Sequence, residues 1–258
     1  GDTVLSELGA LGGTRVAYRV CDVYYDTQRS MFGNSKKVFH LALEFIGAVG
    51  DDFVVVSFEE VLDDWQAVRS VNALPYVPVS TAAELEPLSR RGATAAELSQ
   101  GHHYRRYTAG CFFAHRAPRG TSSSAPQPSA SVLASSGKIV VDAIRGLMLG
   151  YSAAPGFDSA SLAFQQTSRL LGVVRRANAD GETEERRRER VRSAGLRVLQ
   201  QVPRELLHIC WPALVGFSLN AKAWGHVLID GLQAVEQGGN AWQSLVLPTA
   251  KKELLLAL

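Results

Sequence analysis

Cysteine is scarce. The chain has 3 in 258 residues, and Cys21, Cys111 and Cys210 stand far apart. An odd, dispersed set does not make a disulfide framework and fits a reducing compartment, so an intracellular location, cytoplasmic or nuclear, is expected. Charge of one sign is not in excess: 27 Lys and Arg face 25 Asp and Glu. No global field therefore announces nucleic acid or an anionic membrane. No run approaches the ~20 apolar residues of a transmembrane helix, and the opening GDTVLSELGALGGTRV has neither the basic nor the apolar region of a signal peptide. Catalytic signatures are missing too. There is no G-x-S-x-G elbow, no G-x-x-x-x-G-K-[ST] and no G-x-G-x-x-G. GFSLNAKAW (216–224) has Gly216 and Lys222 but lacks the second glycine and the hydroxyl after the lysine. No catalytic residue and no metal ligand set is assigned.

What is present suffices for a sizeable core, since 46% of the residues are hydrophobic. The first half reads as β-rich. Residues 14–25 alternate, and 37–61 reads as two strands joined at Gly50-Asp51-Asp52, with a fully buried run as the alternative for the second arm. Pro75 and Pro78 place 68–79 at a sheet edge. Residues 81–100 suit one broken helix or two short ones, with capping boxes at Thr81/Glu84 and Thr94/Glu97 and interruptions at Pro87 and Gly92. Strand character returns at 102–115 and 137–149. Between them, 116–137 is rich in Ser, Ala and Pro and reads as a mobile loop joining neighbouring strands. Residues 159–177 have helical spacing. Residues 180–202 begin as a charge block, with Glu182–Arg186 and Glu184–Arg188 at i,i+4, and turn amphipathic. A short helix and extended pieces follow over 203–235.

Three constellations invite a chemical reading. His102, His103, Cys111 and His115 supply zinc-compatible ligand types, which leaves a zinc-dependent enzyme as an alternative. Their spacing matches no common zinc module, and adjacent histidines on a strand point to opposite faces. Arg90, Arg91, His103, Tyr104, Arg106 and Tyr107 form a basic and aromatic strip. Such a strip suits a contact surface for protein or, as a second alternative, single-stranded nucleic acid. The run EERRRER (184–190) is nearly charge-balanced and reads as a solvated helix face.

Five segments, in order, resemble one family: the uncharacterised N-terminal domain of fungal-type AAA ATPases. They are LPYVPV (74–79), LSRRGATAAELSQGHHYRRYTAGC (88–111), GKIVVDA (137–143), ELLHICWPALVGFSLNAKAWGHVLIDGLQAV (205–235) and NAWQSLVLPTAKKELLLAL (240–258). The positions that carry the likeness include Arg91, Gly92, His103, Tyr104, Tyr107, Gly110, Asp142, Gly216, Phe217, Lys222, Trp224, Asp230, Leu245, Pro248 and Lys252, with Trp242 where the family has Phe. Most of these are expected to hold the fold. In the family, the last segment leads into the ATPase core, so the chain reads as stopping just before a Walker A loop.

The expected fold is α+β. A mainly antiparallel, barrel-like sheet domain spans 1–150 with its loop at 116–137. A helical insertion carrying the charged helix spans 151–203. An α/β segment over 204–258 leads into an ATPase core absent from the chain. The resemblance implies a non-catalytic recognition or regulatory domain that binds a protein substrate or adaptor. No cofactor is expected in this chain; ATP and Mg would belong to full-length relatives.

Overall fold

The computed structural model describes residues 2–29, 35–49, 52–63, 68, 70–114, 131–132, 135–149, 181, 183–193 and 197–235. The helix expected at 159–177, most of the loop at 116–137, His115, and the closing segment with Trp242, Leu245, Pro248 and Lys252 lie outside them.

The β-rich half forms as expected. Strands β1 (Thr3–Leu8), β2 (Thr14–Arg29), β3 (Ser35–Val49) and β4 (Asp52–Asp63) pair antiparallel in succession. The short β5 (Val77–Pro78) closes one edge beside β1, where the missing N–H of a proline costs least. Alternation sets the two faces. Val16, Tyr18, Leu43, Phe45, Val54, Val56 and Phe58 point into one buried cluster, where Tyr18 meets Phe58 edge-on at 5.2 Å. Ala17, Ile46, Phe53 and Val55 point into a second cluster on the other side. The sheet thus curls as a half-barrel with apolar residues on both faces at its root.

Helix α1 (Ala82–Leu98) is one unbroken helix, not two short ones. The capping box at Thr81/Glu84 forms, whereas Thr94, expected to cap a second helix, donates its hydroxyl to the Arg90 carbonyl inside the first. Pro87, sixth in the helix, removes one i→i−4 hydrogen bond, and packing outweighs this cost and the propensity cost of Gly92. Leu88, Ala95 and Leu98 enter the second cluster.

Seven further strands build a second antiparallel sheet. They are β6 (His103–Tyr107), β7 (Phe112–Ala114), β8 (Ser131–Val132), β9 (Gly137–Val141), β11 (Ala213–Ser218), β12 (Ala223–Leu228) and β13 (Leu232–Ala234). They lie in the order β13-β6-β9-β11-β12-β7-β8. Residues 102–115 are therefore two strands, broken by a turn at 108–111 where Gly110 adopts φ +78°. Past Val141, the expected strand becomes the short helix α2 (Ala143–Met148).

Helix α3 (Glu184–Ser193) is the charged helix. The amphipathic continuation expected through 202 instead becomes β10 (Arg197–Leu199), which pairs with β4 at the free edge of the first sheet. The boundary expected at 204 does not fall between sheets either: β11 to β13 complete the sheet begun by β6 and β9. The two sheets meet where Ile46 forms a parallel bridge with Cys210 and the Trp211 N–H donates to the Ile46 carbonyl at 2.8 Å. Among the described residues, no helix is long and apolar enough to cross a membrane.

Candidate binding face on the second sheet

The strip read from sequence does not form one surface. Arg90 is exposed on α1 and pairs with Glu86. Arg91 points the other way, its side chain 5% exposed. Its guanidinium donates to the Arg15 carbonyl at 2.8 Å and to Asp230 Oδ2 at 3.3 Å. Burial pushes its pKa down, and the Asp230 carboxylate offsets this only in part. Beside it, Gly92 lets the helix lie against the 3₁₀ turn at Arg204–Ile209, since a Cβ there would overlap the Leu207 carbonyl. The Arg-Gly pair of the motif thus fastens α1 to three parts of the chain.

Strand alternation divides the rest. His103, Arg105 and Tyr107 face inward; Tyr104 and Arg106 face outward. His103 Nε2 meets the Gln100 carbonyl at 2.6 Å. Tyr107 is fully buried, its hydroxyl 2.9 Å from Ser218 Oγ. Of the four zinc-compatible residues, His115 lies outside the described residues, and the other three do not converge. His102 Nδ1 lies 2.9 Å from Asp142, His103 faces the opposite side, and Cys111 Sγ lies 3.2 Å from Thr108 Oγ1. Among the described residues, no group of three His, Cys, Asp or Glu side chains is placed to hold a metal.

Three registered rows cross the outer face of the second sheet. The central row is Tyr104–Val140–Phe217–Trp224, each residue the cross-strand partner of the next. Tyr104 is 43% exposed, Val140, Phe217 and Trp224 are half-buried, and the Phe217 and Trp224 rings meet edge-on at 5.7 Å. With strands about 4.8 Å apart, the row spans roughly 14 Å. On one flank, Gln233, Arg106 and Lys138 pair in register, and the β11–β12 turn adds Leu219 and Lys222. Arg106, Lys138 and Lys222 are exposed. On the other flank stand His102 and Asp142.

Asp142 ends β9 and opens α2. Its Oδ1 accepts the Arg145 N–H at 2.7 Å and its Oδ2 faces His102. A concave site of about 480 Å³ lies here, lined by His102, Val140, Asp142, Ile144, Arg145, Phe217 and Trp224. The composition of this lining suits stacking and anion contact better than acid–base chemistry. Among the described lining residues, the one carboxylate is buried and already bonded, and none is a nucleophile.

Lys222 and Gly216 belong to a hairpin. Gly216 pairs with Gly225 and Val141, and Lys222 sits in the β11–β12 turn with φ +50°. A phosphate loop needs a strand, a glycine-rich turn and a helix whose N–H groups point at the phosphates. Here a strand follows instead, so this segment does not fit ATP.

Sequence reasoning found Tyr104 and Arg106 but missed that Phe217, Trp224, Lys138 and Arg145 join them. The pairing of β9 with both β6 and β11 is long-range, and no local pattern announces it.

No family model matches the chain, and neither a curated protein nor a solved structure shows significant similarity to it.

Proposed function

We propose that the chain is a non-catalytic recognition domain of the kind that precedes an AAA-type ATPase core, and that it takes its ligand on the outer face of the second sheet. The observation that carries the binding reading is the row Tyr104–Val140–Phe217–Trp224. Four adjacent strands present large apolar side chains to the outside, beside a row of exposed cations. A sheet face with no binding role would carry polar residues there.

The family reading draws support from where the motif residues fall. Asp142, Gly216, Phe217, Lys222 and Trp224 build or frame this face, and Arg91, Gly92, His103, Tyr107 and Asp230 fasten the helix and strand beside it. A shared sequence pattern that maps onto one sheet and its supports is what a common binding domain requires. ATP and Mg would belong to the ATPase core of such relatives. Domains of that kind commonly recognise a protein substrate or adaptor, which makes such a protein one partner class to test.

Titration of the full chain with a library of peptides and with short oligonucleotides, read by fluorescence anisotropy, tests the reading. Binding of either class that Tyr104→Ala weakens about tenfold supports it. Binding untouched by both Tyr104→Ala and Lys138→Glu, or no binding at all, overturns it.

A further inference from the structure

We infer that the ligand of this face is single-stranded nucleic acid; the inference rests on the reading of the face as a binding surface. Three observations favour it over an extended peptide.

The first is what the backbone can offer. A peptide that adds to a sheet gains its affinity from main-chain hydrogen bonds at a free edge. The four strands of the row are all interior: β6 lies between β13 and β9, β9 between β6 and β11, β11 between β9 and β12, and β12 between β11 and β7. Their N–H and C=O groups already pair with neighbours. What the row offers to the outside is mainly side chains, three of the four aromatic.

The second is the chemistry of the row. Tyr104 and Phe217 are separated by Val140, so the platform has two aromatic stations about 10 Å apart across two strand spacings, with Trp224 edge-on beside Phe217. Bases stack on such stations whatever their identity, because every base has a π-face. A duplex keeps its bases stacked on one another and cannot use them.

The third is charge. Arg106 and Lys138 sit two residues along their strands from Tyr104 and Val140, which is about 6.6 Å from the aromatic row. Lys222 extends that flank, and Arg145 stands across the concave site. The one carboxylate in the three rows, Asp142, is buried and held by His102 and the Arg145 N–H. Among the described residues, the face therefore carries several exposed cations and no exposed anion, although the whole chain is nearly neutral. A strand laid along the row would set bases on the aromatic stations and phosphates against the flanking cations.

The test uses the full chain with fluorescein-labelled dT10 and U10. A 10-base-pair duplex and polyglutamate serve as controls, with Tyr104→Ala, Lys138→Glu and Arg90→Glu as variants. Arg90 is exposed on α1, outside all three rows, so its variant controls for general charge. All variants are checked for an unchanged thermal transition; Tyr104 and Lys138 are exposed enough for that expectation to hold. The expected result is saturable binding of the single strands and much weaker binding of the duplex and polyglutamate. For three or four phosphates, the log–log salt slope should be about −2 to −3. Tyr104→Ala and Lys138→Glu should each weaken binding by about tenfold or more, and Arg90→Glu should leave it within about twofold. No binding of dT10 or U10, or equal binding of polyglutamate, overturns the inference. If peptides bind instead and Tyr104→Ala weakens them, the nucleic-acid inference falls while the binding face stands. If nothing binds, both fall.

Discussion

Replacing Arg91 separates a structural from a binding role for the residue that the sequence places at the centre of the strip. Arg91→Ala leaves the Arg15 carbonyl without its 2.8 Å donor in a part-buried site, which costs about 1–3 kcal/mol. It also empties the space of a side chain that is 5% exposed, so packing of the aliphatic stem is lost as well. Together the loss comes to roughly 3 kcal/mol. At about 2–4 °C per kcal/mol for a domain near this size, the melting temperature should fall by roughly 6–12 °C.

Arg91→Met keeps the stem and removes the cost of burying a charge, so its loss should be about half as large. Asp230 is a different case. Its side chain is 63% exposed, and Asp230→Asn should cost less than about 1 kcal/mol, as exposed pairs do. Thermal and urea unfolding of the three variants give the comparison. Equal losses for Arg91→Ala and Asp230→Asn would refute the reasoning. So would an unshifted Arg91→Ala that nevertheless loses ligand.

Gly92→Ala raises helix propensity by up to about 1 kcal/mol, yet its methyl would overlap the Leu207 carbonyl. A net loss of about 1–3 kcal/mol in urea unfolding is expected, and a stabilised variant would show that α1 does not pack as described. Burial alone would raise the pKa of Glu44, but hydrogen bonds from Cys21 and Arg19 and the charges of Arg19 and Arg197 outweigh it and leave it lowered. A carboxylate held low in the fold adds stability above its unfolded pKa and loses it as pH falls through its folded value. Unfolding followed from pH 6 down to 3 should therefore show a smaller acid loss in Glu44→Gln than in the parent. Cys21 lies on the exposed face of β2, but burial of its thiol and the hydrogen bond to Glu44 push its pKa up to about 11. Alkylation by iodoacetamide at pH 8, read by mass spectrometry, should be slower at Cys21 than at a free cysteine in an unfolded control; equal rates would contradict this.

Strands with clean alternation were legible locally. β2, β3 and β4 could be placed from residues 14–61, because alternation or an unbroken β-branched run marks each strand, while Gly50 and Asp51 of the expected turn lie outside the described residues. The proline edge strand and the Thr81/Glu84 cap were equally local. What stayed hidden depends on distant pairing. Residues 197–199 read as the tail of a charged helix because nothing nearby shows that β4 offers a free edge there. The 102–115 run alternates well enough to pass for one strand, and only the positive φ of Gly110 breaks it. At the site, alternation along β6 could have split Tyr104 and Arg106 from His103 and Tyr107. The partnership of Tyr104 with Phe217 and Trp224 needs the register of β9 and β11, set across more than seventy residues of chain.

The central claim, that ligand binds across the second sheet and not along α1, is tested most directly by hydrogen exchange of the full chain with and without saturating dT10. The account predicts slowed exchange in residues 102–107, 137–142 and 216–225, with 82–98 unchanged. Protection confined to 82–98, or none in the second sheet, would contradict it.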